Sequence, residues 1–329
     1  MHTLHTDILT ERTAADELIP EWNDLLARST ASVFQTPEFL LSWWETLGSG
    51  ELCVLVVRDE TEKLVGLAPL MQTENERAEK QLSFIGCVAV SDYLDCIVDT
   101  EYSEAVYAHI CTELAAQNWN TLYLCSVAEH SPLRAALRER FPAALETQQD
   151  VCPIIALPNT WEEYLTSLER KQRHELRRKM RNNDAQGAVF TCLTTKEEVT
   201  EALPDFITLH ELSSAEKKSF WTPEHRAFFA RAIPKLAGAG KVHLYFLSLE
   251  GTHVAAMLIF VHRNGYYLYN SGFNPAFQQL SSGTALTGHT IQQALAQQLR
   301  VYDFLRGSEE YKFRFGAVAS PVFDYTVVR

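Results

Sequence analysis

One order of secondary-structure patterns runs through this chain twice, and this repeat limits the folds that it can adopt. In each half a Thr-Pro-Glu triplet, at Thr36 and again at Thr222, opens an apolar-periodic run that ends close to a glycine. Threonine at the N-cap, proline at the first helical position and glycine after the last turn are typical helix boundaries. Three strand patterns, a second helix and a further strand follow in both halves. We therefore predict a duplicated α/β domain.

The repeated strands are apolar or alternating runs bounded by turn residues. In the first half they are ELCVLVVRD, LVGLAPLM, LSFIG and TLYLCSV, and in the second half KVHLYFLSL, HVAAMLIFVH, GYYLYNSGF and VYDFLRG. The helix before the final strand is predicted at 103–117 in the first half and at 283–299 in the second. Pro142, Pro153 and Pro158 mark the join, so we assign residues 1–150 and 151–329 to the two domains.

Composition narrows the classes of function. The chain has 329 residues, 46% of them apolar, and a net charge of -13, which favours globular domains and argues against nucleic acid as a general partner. Its seven cysteines stand singly, so we expect reduced core thiols in a cytoplasmic protein. The N-terminus lacks an apolar signal-peptide core, and the longest apolar run, 254–261, is too short for membrane insertion. No cluster has the spacing of metal ligands, so no metal is expected.

A strongly basic segment separates the two halves. Thr160 and Glu163 form a capping box that opens a predicted helix reaching about Asn182. Seven lysines and arginines lie between 170 and 181, and four of them form one stripe at helical spacing: Arg170, Arg173, Arg177 and Arg181. Two interpretations stay open. The segment is either a surface for an anionic partner, or a solvated face on which Glu175 pairs with Lys171 and Lys179.

Seven segments, in order, carry a resemblance to a known family. They are LSFIGCVAVSDYLD, YLTSLERKQRHELRRKMR, FITLHELSS, VAAMLIF, YYLYNSGFNP, SSGTAL and YDFLRGSEEYKFRFG. In these segments the chain resembles the CelD/BcsL-like acetyltransferases of the GNAT superfamily, which are related to the FemABX peptidyltransferases. The resemblance implies two tandem GNAT-like α/β domains with mixed, mostly antiparallel sheets flanked by helices. It also implies acetyl-CoA or another acyl-CoA as donor and a small-molecule or sugar amine as acceptor, in envelope polysaccharide metabolism.

The resemblance also implies where the donor binds. In a GNAT fold, the loop between the fourth strand and the next helix holds the pyrophosphate of CoA with backbone N–H groups and the helix N-terminus. The residues in that place are Ser281, Ser282, Gly283, Thr284 and Ala285. Gly283 and Ala285 match the superfamily pattern, whereas Leu280 stands where Gln or Arg is usual. A backbone N–H at Asn270 or Ser271 is the expected donor to the thioester oxyanion.

The first half lacks a glycine at the corresponding position, before the helix predicted to begin at Ser103. We expect this half to have lost CoA binding and to act structurally or in acceptor binding. Asp92 and Asp95 match the SDYLD segment of the family and are candidate acceptor-binding residues. The alternative is that each of them only stabilises a turn or caps a helix.

The densest polar cluster of the second half follows its last apolar strand, where folds of this kind open their cleft. Asp303 or Glu309 is a candidate general base, and Tyr311 is a candidate acid for the leaving thiolate. Arg306 and Lys312 are candidate cations for an anionic group of the acceptor. The alternative is a buried network, with Glu309 and Lys312 paired, that pins the last strands.

His210, the cysteines and two alternative functions also bear on the assignment of an acyl-CoA-dependent transferase. His210 lies near the end of an apolar helical pattern and is expected to be a core or cap residue. No cysteine is placed to form an acyl-enzyme, so we expect direct attack of the amine on the thioester. A FemABX-like transferase that uses aminoacyl-tRNA is favoured by the basic segment but opposed by the net charge. A degenerate module that binds a polysaccharide-synthesis partner is favoured by the imperfect pyrophosphate motif.

Overall fold

The computed structural model describes residues 3–87 and 90–329. The chain divides into two compact units: unit 1 comprises Met1–Asp150 and Pro321–Arg329, and unit 2 comprises Val151–Ser320. The end of the chain therefore belongs to unit 1, although the sequence led us to place it in the second domain. The reason is its last strand, whose residues 322–328 pair with a strand of unit 1.

The elements follow the order that the repeat predicts. The strands are β1 (His5–Leu9), β2 (Glu51–Arg58), β3 (Leu64–Glu74), β4 (Lys80–Phe84), β5 (Ile97–Val98), β6 (Thr121–Ala128), β7 (Leu145–Ala156), β8 (Val189–Leu193), β9 (Val242–Leu249), β10 (Thr252–His262), β11 (Gly265–Phe273), β12 (Val301–Asp303) and β13 (Val318–Val328). The helices are α1 (Arg12–Glu17), α2 (Ile19–Arg28), α3 (Pro37–Thr46), α4 (Ser103–Ala116), α5 (Leu133–Arg140), α6 (Trp161–Ser167), α7 (Arg170–Ala185), α8 (Lys196–Ser213), α9 (Ala215–Phe220), α10 (Pro223–Gly238), α11 (Ser282–Ala296) and α12 (Glu310–Phe313). Short 3-10 turns cover Val33–Gln35, Thr100–Tyr102 and Pro275–Leu280.

In unit 1 the strands lie in the order β1, β2, β3, β4, β6, β13, and β5 pairs with β3. The β4/β6 pair is parallel, whereas the neighbouring pairs are antiparallel. Helices α2 and α4 pack against this sheet. The apolar run of β3 is buried from Leu64 to Met71, as expected for a central strand covered on both faces.

Unit 2 repeats this architecture with the strand order β7, β12, β11, β10, β9, β8. Its parallel pair is β11/β12, and its other pairs are antiparallel. Helix α11 packs on β9, β10 and β11, and α8 and α10 contact the same sheet. Because helices contribute to both faces, β10 is buried continuously from Val254 to Phe260. The predicted pair of α/β units with mixed, mostly antiparallel sheets flanked by helices is thus confirmed.

The basic segment is two helices rather than the one helix predicted. Helix α6 opens with the capping box expected at Thr160 and Glu163. Leu168 and Glu169 then adopt extended backbone, with ψ values of 149° and 145°, before α7 begins. Leu168 is part of the hydrophobic core of unit 2, so the break allows this side chain to leave the helical path and pack inward. Helix α7, which carries the basic residues, packs against α11.

Candidate active site

The parallel strands of unit 2 run together only at their beginnings. Gly265–Tyr267 pairs with Val301–Asp303, after which β11 continues to Phe273 without β12. On its other side, β11 pairs with β10 through a register shift that leaves Tyr269 as an extra residue. A gap therefore opens along residues 268–273 of β11, and we refer to it as the β11 gap.

A pocket lies at the start of α11, next to the end of β11. Its volume is about 220 Å³, and it is lined by Val254, Phe273, Asn274, Phe277, Gln278, Ser281, Ser282, Gly283 and Thr284. The lining includes four of the five predicted pyrophosphate-loop residues, Ser281–Thr284; the fifth, Ala285, is buried in the first turn of α11. None of the lining residues is charged, so the pocket presents backbone and neutral polar groups to a ligand.

The backbone at this helix start has unused donors. Ser281 adopts the left-handed conformation, with φ 52° and ψ 40°, and its carbonyl accepts from Thr284 and Ala285. Within the described part of the chain, the N–H groups of Ser282 and Gly283 have no protein acceptor, as expected for a first turn. A Cβ placed on Gly283 would meet no atom within 4 Å. The first turn is therefore open to the pocket at this position.

A buried asparagine of α7, which the sequence analysis did not single out, holds this helix start in place. Asn183 is fully buried. Its Nδ2 donates to the carbonyls of Lys179 and Leu280, each at 2.9 Å, and its Oδ1 accepts from Ser282 Oγ at 3.1 Å. One amide thus joins α7 to both residues that flank the left-handed Ser281.

Helix α8 packs closely on the last residues of β11. A Cβ on Gly272 would lie 2.4 Å from the backbone nitrogen of His210, so only glycine permits this approach. The N–H of Phe273 donates to Ser213 Oγ at 2.8 Å, and the same hydroxyl donates to the Phe273 carbonyl. The FITLHELSS and YNSGF segments are therefore docked against each other.

His210, expected to be a core or cap residue, is buried in this contact. Its Nδ1 accepts from Trp221 Nε1 at 3.0 Å, and its Nε2 lies 3.1 Å from Asn270 Oδ1. Burial, with a smaller contribution from the charge of Lys217, lowers the pKa of His210 to about 4. The imidazole is therefore neutral at physiological pH, but its pKa is too far below 7 for an efficient general base, and its acceptor nitrogen is already bound by Trp221.

A lysine that the sequence analysis overlooked lies at the β11 gap. Lys217 Nζ donates to the Ser271 carbonyl, which is thus directed away from β10. Burial lowers the pKa of Lys217, the carboxylates of Glu309 and Glu216 oppose that shift, and the charge of Lys312 adds to it. No motif predicts this position, because α9 reaches β11 only through tertiary packing.

The C-terminal cluster consists largely of a pinned loop. Lys312 is 3% exposed, and its Nζ donates to the carbonyls of Leu305, Arg306 and Gly307 at 3.3, 2.8 and 3.1 Å. The same Nζ lies 2.8 Å from Glu309 Oε2. All of its donors have partners, which favours the structural alternative for Lys312 over binding of an acceptor.

The remaining members of this cluster differ in accessibility. Asp303 is buried, and its Oδ1 accepts from the Leu305 N–H at 2.7 Å. Glu309 is 57% exposed and Arg306 is half-buried. The ring of Tyr311 lies edge-on to Phe304, and burial raises the pKa of this tyrosine above its ordinary value. Glu309 thus presents its carboxylate to solvent, whereas Asp303 is tied to the end of β12.

The acidic candidates of unit 1 lie in a folded loop. Asp92 is buried and Asp95 is half-buried. Burial raises the pKa of Asp95 to about 7, although hydrogen bonds from Ser131, the Cys96 N–H and Tyr107 oppose this shift. Leu94, between the two acids, donates its N–H to a carbonyl of β6.

Unit 1 also contains a disulfide where the sequence analysis expected reduced thiols only. Cys87 and Cys125 are bonded, with their Cα atoms 5.9 Å apart. Both cysteines stand alone in the sequence, and only the return of the chain at β6 brings them together. Cys53, Cys96, Cys111, Cys152 and Cys192 are free.

Two further findings concern metals and membranes. Among residues 3–87 and 90–329, no group of three or more His, Cys, Asp or Glu side chains has an arrangement that could hold a metal ion. In the same residues no helix combines the length and the apolar character needed to cross a bilayer.

Comparisons with known proteins agree with this architecture. Residues 170–313 match the family model of the acetyltransferase (GNAT) domain. The structure of FemX is similar over 99% of this chain and 97% of its own, with a TM-score of 0.71 and 12% identity. A tandem GNAT protein from the clavulanic acid biosynthesis pathway is similar over 99% and 98%, with a TM-score of 0.51 and 13% identity. The C-terminal domain of a putative lysylphosphatidylglycerol synthetase from Agrobacterium fabrum is similar over 95% and 92%, with a TM-score of 0.59 and 12% identity.

At these identities the structural likeness shows the fold alone. No curated protein matches the chain in sequence. The family match covers the β11 gap, the pocket at the start of α11 and most of the C-terminal cluster. Residues 170–313 therefore match the acetyltransferase (GNAT) domain, within a chain that has the fold of FemX and of a tandem GNAT protein.

Proposed function

We propose that this chain is an N-acyltransferase that moves an acyl group from acetyl-CoA or another acyl-CoA to an amine, with the donor bound by unit 2. The observation that carries the proposal is the adjacency of the β11 gap and the pocket at the start of α11, joined at Phe273. A CoA thioester needs both features. Its pyrophosphate requires a cradle of N–H donors, and its pantetheine arm requires an opening between strands.

The residues at the helix start fit a pyrophosphate. Ser282 and Gly283 offer unused N–H groups at the positive end of the α11 dipole, and the open side of Gly283 permits close approach. Leu280 departs from the superfamily pattern, but its carbonyl serves another purpose, since it accepts from Asn183. We assign Ser281–Ala285 to the pyrophosphate, and Asn270 and Ser271 to the thioester.

Direct transfer accounts for the chemistry. The amine nitrogen attacks the thioester carbonyl carbon, a C–N bond forms and the C–S bond breaks. The nitrogen loses a proton to a base, and the CoA thiolate gains one. The Ser271 carbonyl is turned towards Lys217, and in an extended strand the N–H of the same residue points the same way. This supports Ser271 N–H as a donor to the oxyanion.

The structure favours Glu309 over Asp303 as base, because Glu309 is accessible whereas Asp303 is buried and occupied by the Leu305 N–H. Tyr311, whose raised pKa keeps it protonated at neutral pH, is suited to protonate the thiolate. Arg306 stays a candidate for an anionic group of the acceptor, and Lys312 holds the loop that carries these residues.

The acceptor and the setting follow from the sequence resemblance. We propose a small-molecule or sugar amine, used in envelope polysaccharide metabolism by a CelD/BcsL-like enzyme of the cytoplasm. We propose further that unit 1 binds no donor, and that Asp92 and Asp95 shape its loop or an acceptor site.

The basic helix supports a second candidate, an aminoacyl-tRNA-dependent transferase. In α7, Glu175 pairs with Arg178 and Lys179, and Glu162 of α6 pairs with Arg177. Among the described residues, no ion pair involves three other cations of this helix: Arg170, Lys171 and Arg181. Available positive charge of this kind suits a polyanion. A degenerate, non-catalytic module is the outcome if neither donor binds.

Calorimetric titration with acetyl-CoA and, in parallel, a longer acyl-CoA tests the donor. Saturable micromolar binding at one site per chain is the expected result. Release of CoA with amino sugars and small amines would then identify the acceptor class. No heat from a folded sample with either ligand would reject the donor assignment. A steeply salt-dependent affinity for tRNA in that sample would favour the second candidate.

Glu309→Gln tests the base. We expect kcat to fall by about 10²–10⁴-fold with an unchanged Kd for acetyl-CoA, because a glutamine keeps an oxygen for Lys312 but cannot take up a proton. Glu310→Gln is the matched control, since Glu310 is the adjacent residue, is exposed and pairs with Arg314. An unchanged rate in Glu309→Gln would leave Asp303 or water as the base.

A further inference from the structure

Three side chains at the β11 gap form a hydrogen-bond chain with one direction. The indole of Trp221 can only donate, so the Nδ1 of His210 that it contacts must be the acceptor nitrogen. The proton of the neutral imidazole is then on Nε2, which faces Asn270. The contact with Asn270 is therefore a donation from Nε2 to the side-chain carbonyl Oδ1.

This chain fixes the orientation of the Asn270 amide. Because Oδ1 accepts from His210, the NH₂ group of Asn270 must point to the other side of the amide. In the part of the chain that the structure describes, this Nδ2 has no hydrogen-bond partner. Asn270 directly follows the extra residue Tyr269 and directly precedes Ser271, whose carbonyl is bound by Lys217. The free donors thus lie on the segment of β11 that borders the gap.

We propose that Asn270 Nδ2 donates a hydrogen bond to the thioester carbonyl oxygen of the bound donor, with His210 and Trp221 as positioning residues. The inference rests on the proposed function and adds a side-chain donor to the backbone N–H of Ser271. Two donors on one oxyanion are a common means of stabilising a tetrahedral intermediate.

The surroundings keep the chain of hydrogen bonds in this one state. The rings of Phe206, Phe220 and Trp221 lie around His210, with centroids 5.6–6.1 Å from its own. Gly272 brings the backbone of α8 against β11, which sets the distance between His210 and Asn270. A protonated His210 would present N–H groups on both sides and lose its bond from Trp221. Its low pKa is consistent with the exclusion of that state.

Paired substitutions separate orientation from mere packing. Asn270→Ala should lower kcat by about 100-fold with little change in donor Kd, because it removes an oxyanion donor. His210→Phe should lower kcat by about tenfold, because it frees the Asn270 amide to rotate. His210→Gln should restore most of that loss, since a glutamine can accept from Trp221 and donate to Asn270. Ser213→Ala is the control: it weakens the same helix–strand contact without touching the chain of three.

The protonation state of His210 can be measured by NMR without any substrate, so this test of the proposal does not depend on an activity assay. ¹⁵N NMR of the wild-type imidazoles should show His210 as a neutral ring with its proton on Nε2 down to about pH 5, and Trp221→Phe should disturb that state. A proton on Nδ1, or equal kcat in wild type, His210→Phe and Asn270→Ala, would overturn the inference. A wild-type protein with the Nε2 proton that neither binds acyl-CoA nor turns over would refute the proposed function instead. In that case the proposed contact between Asn270 and the thioester would be refuted together with the proposed function, and the hydrogen-bond chain would have a structural role alone.

Discussion

Each unit contains one parallel strand pair, and the two units differ in the groups that lie beyond the point where the paired strands separate. In unit 1, Gln81–Ser83 of β4 pairs with Thr121–Tyr123 of β6, and the strands then separate, as β11 and β12 do in unit 2. Past this point unit 1 is bridged by the Cys87–Cys125 disulfide and by the hydrogen bond from Leu94 to the Ser126 carbonyl. In unit 2, Ser271 of β11 stands where Cys87 stands in unit 1, four residues past the parallel pair, and its carbonyl accepts from Lys217 Nζ.

The helices that follow differ in charge as well. Helix α4 of unit 1 starts beside Asp99, which accepts from the N–H of Glu101, and Glu104 lies in its first turn. Helix α11 of unit 2 starts with neutral serine, glycine and threonine. A cavity lies at the N-terminus of each of these helices, but the one at α4 is lined by Glu101 and Glu104, whereas the one at α11 has no charged residue in its lining. Carboxylates at a helix start satisfy the dipole from within the protein, whereas neutral residues leave it for a ligand. The phosphate site that we propose therefore suits unit 2, where the helix start carries no carboxylate and the neighbouring strand gap has no disulfide across it.

The largest effect should come from filling the open helix start. Gly283→Trp places an indole where the glycine has no neighbour within 4 Å, so the protein should fold while the pocket is blocked. We expect affinity for acetyl-CoA to fall by about 100-fold or more, or beyond detection in calorimetry.

The equivalent change in unit 1 is its control. Glu104→Trp alters the first turn of α4 at the same helical position and should leave acetyl-CoA affinity unchanged. Wild-type affinity in Gly283→Trp would contradict the loop assignment. A loss of affinity in Glu104→Trp alone would transfer the donor site to unit 1.

A second prediction concerns the loop that fills unit 1. The pKa of Asp95 is about 7 in the folded protein and ordinarily near 3.8, so the folded state binds the proton more tightly than the unfolded state does. The associated stability is fully present below about pH 4 and is lost as the pH rises through 7. The free energy of unfolding of the wild type should fall across this window by an extra amount on the order of 2 kcal/mol. Asp95→Asn should lack that decline.

Urea denaturation of both proteins from pH 4 to pH 8 measures this difference, because the titration of all other groups is shared. The variant should be the more stable protein at pH 8. Parallel stability profiles would mean that the Asp95 carboxyl ionises as it does in water, and that the loop does not bury it.

The sequence predicted the order of elements because repeats and helix caps are local. Thr160 with Glu163 and Thr222 with its proline were read correctly as helix starts, and the apolar runs of β3 and β10 as strands. The basic segment was predicted wrongly as one helix, since the break at Leu168 has no proline or glycine to signal it. It depends on the burial of that leucine in a core formed by distant elements.

The candidate site was less predictable than the order of elements, because it too depends on contacts between distant parts of the chain. Lys312 looked like a ligand-binding cation, but its use by three carbonyls is visible only once the loop is folded. The chain of Trp221, His210 and Asn270 joins the residue after α9, helix α8 and a strand 60 residues away from the histidine. Residue types alone suggested a core histidine, and only the contact with the Trp221 indole gives the chain its direction.

The smallest of these effects concerns how each unit holds its helix start. In unit 1 a charged residue, Asp99, caps the turn before α4, and it forms ion pairs with Arg28 and Lys63 of the same unit. In unit 2 the helix start is held by the neutral amide of Asn183. Asn183→Ala should weaken acetyl-CoA binding by about tenfold, because Leu280 and Ser282 lose the group that keeps the first turn of α11 in position.

Thr290→Val distinguishes this role from general packing. Thr290 is also fully buried, and its hydroxyl lies 2.8 Å from Tyr302 Oη two turns further along α11. Both variants should lower the midpoint of thermal unfolding, since each removes a buried hydrogen bond. Only Asn183→Ala should also raise the Kd for acetyl-CoA. Equal Kd values in the two variants would show that the amide stabilises unit 2 without shaping its helix start, and the contrast with Asp99 would then concern charge alone.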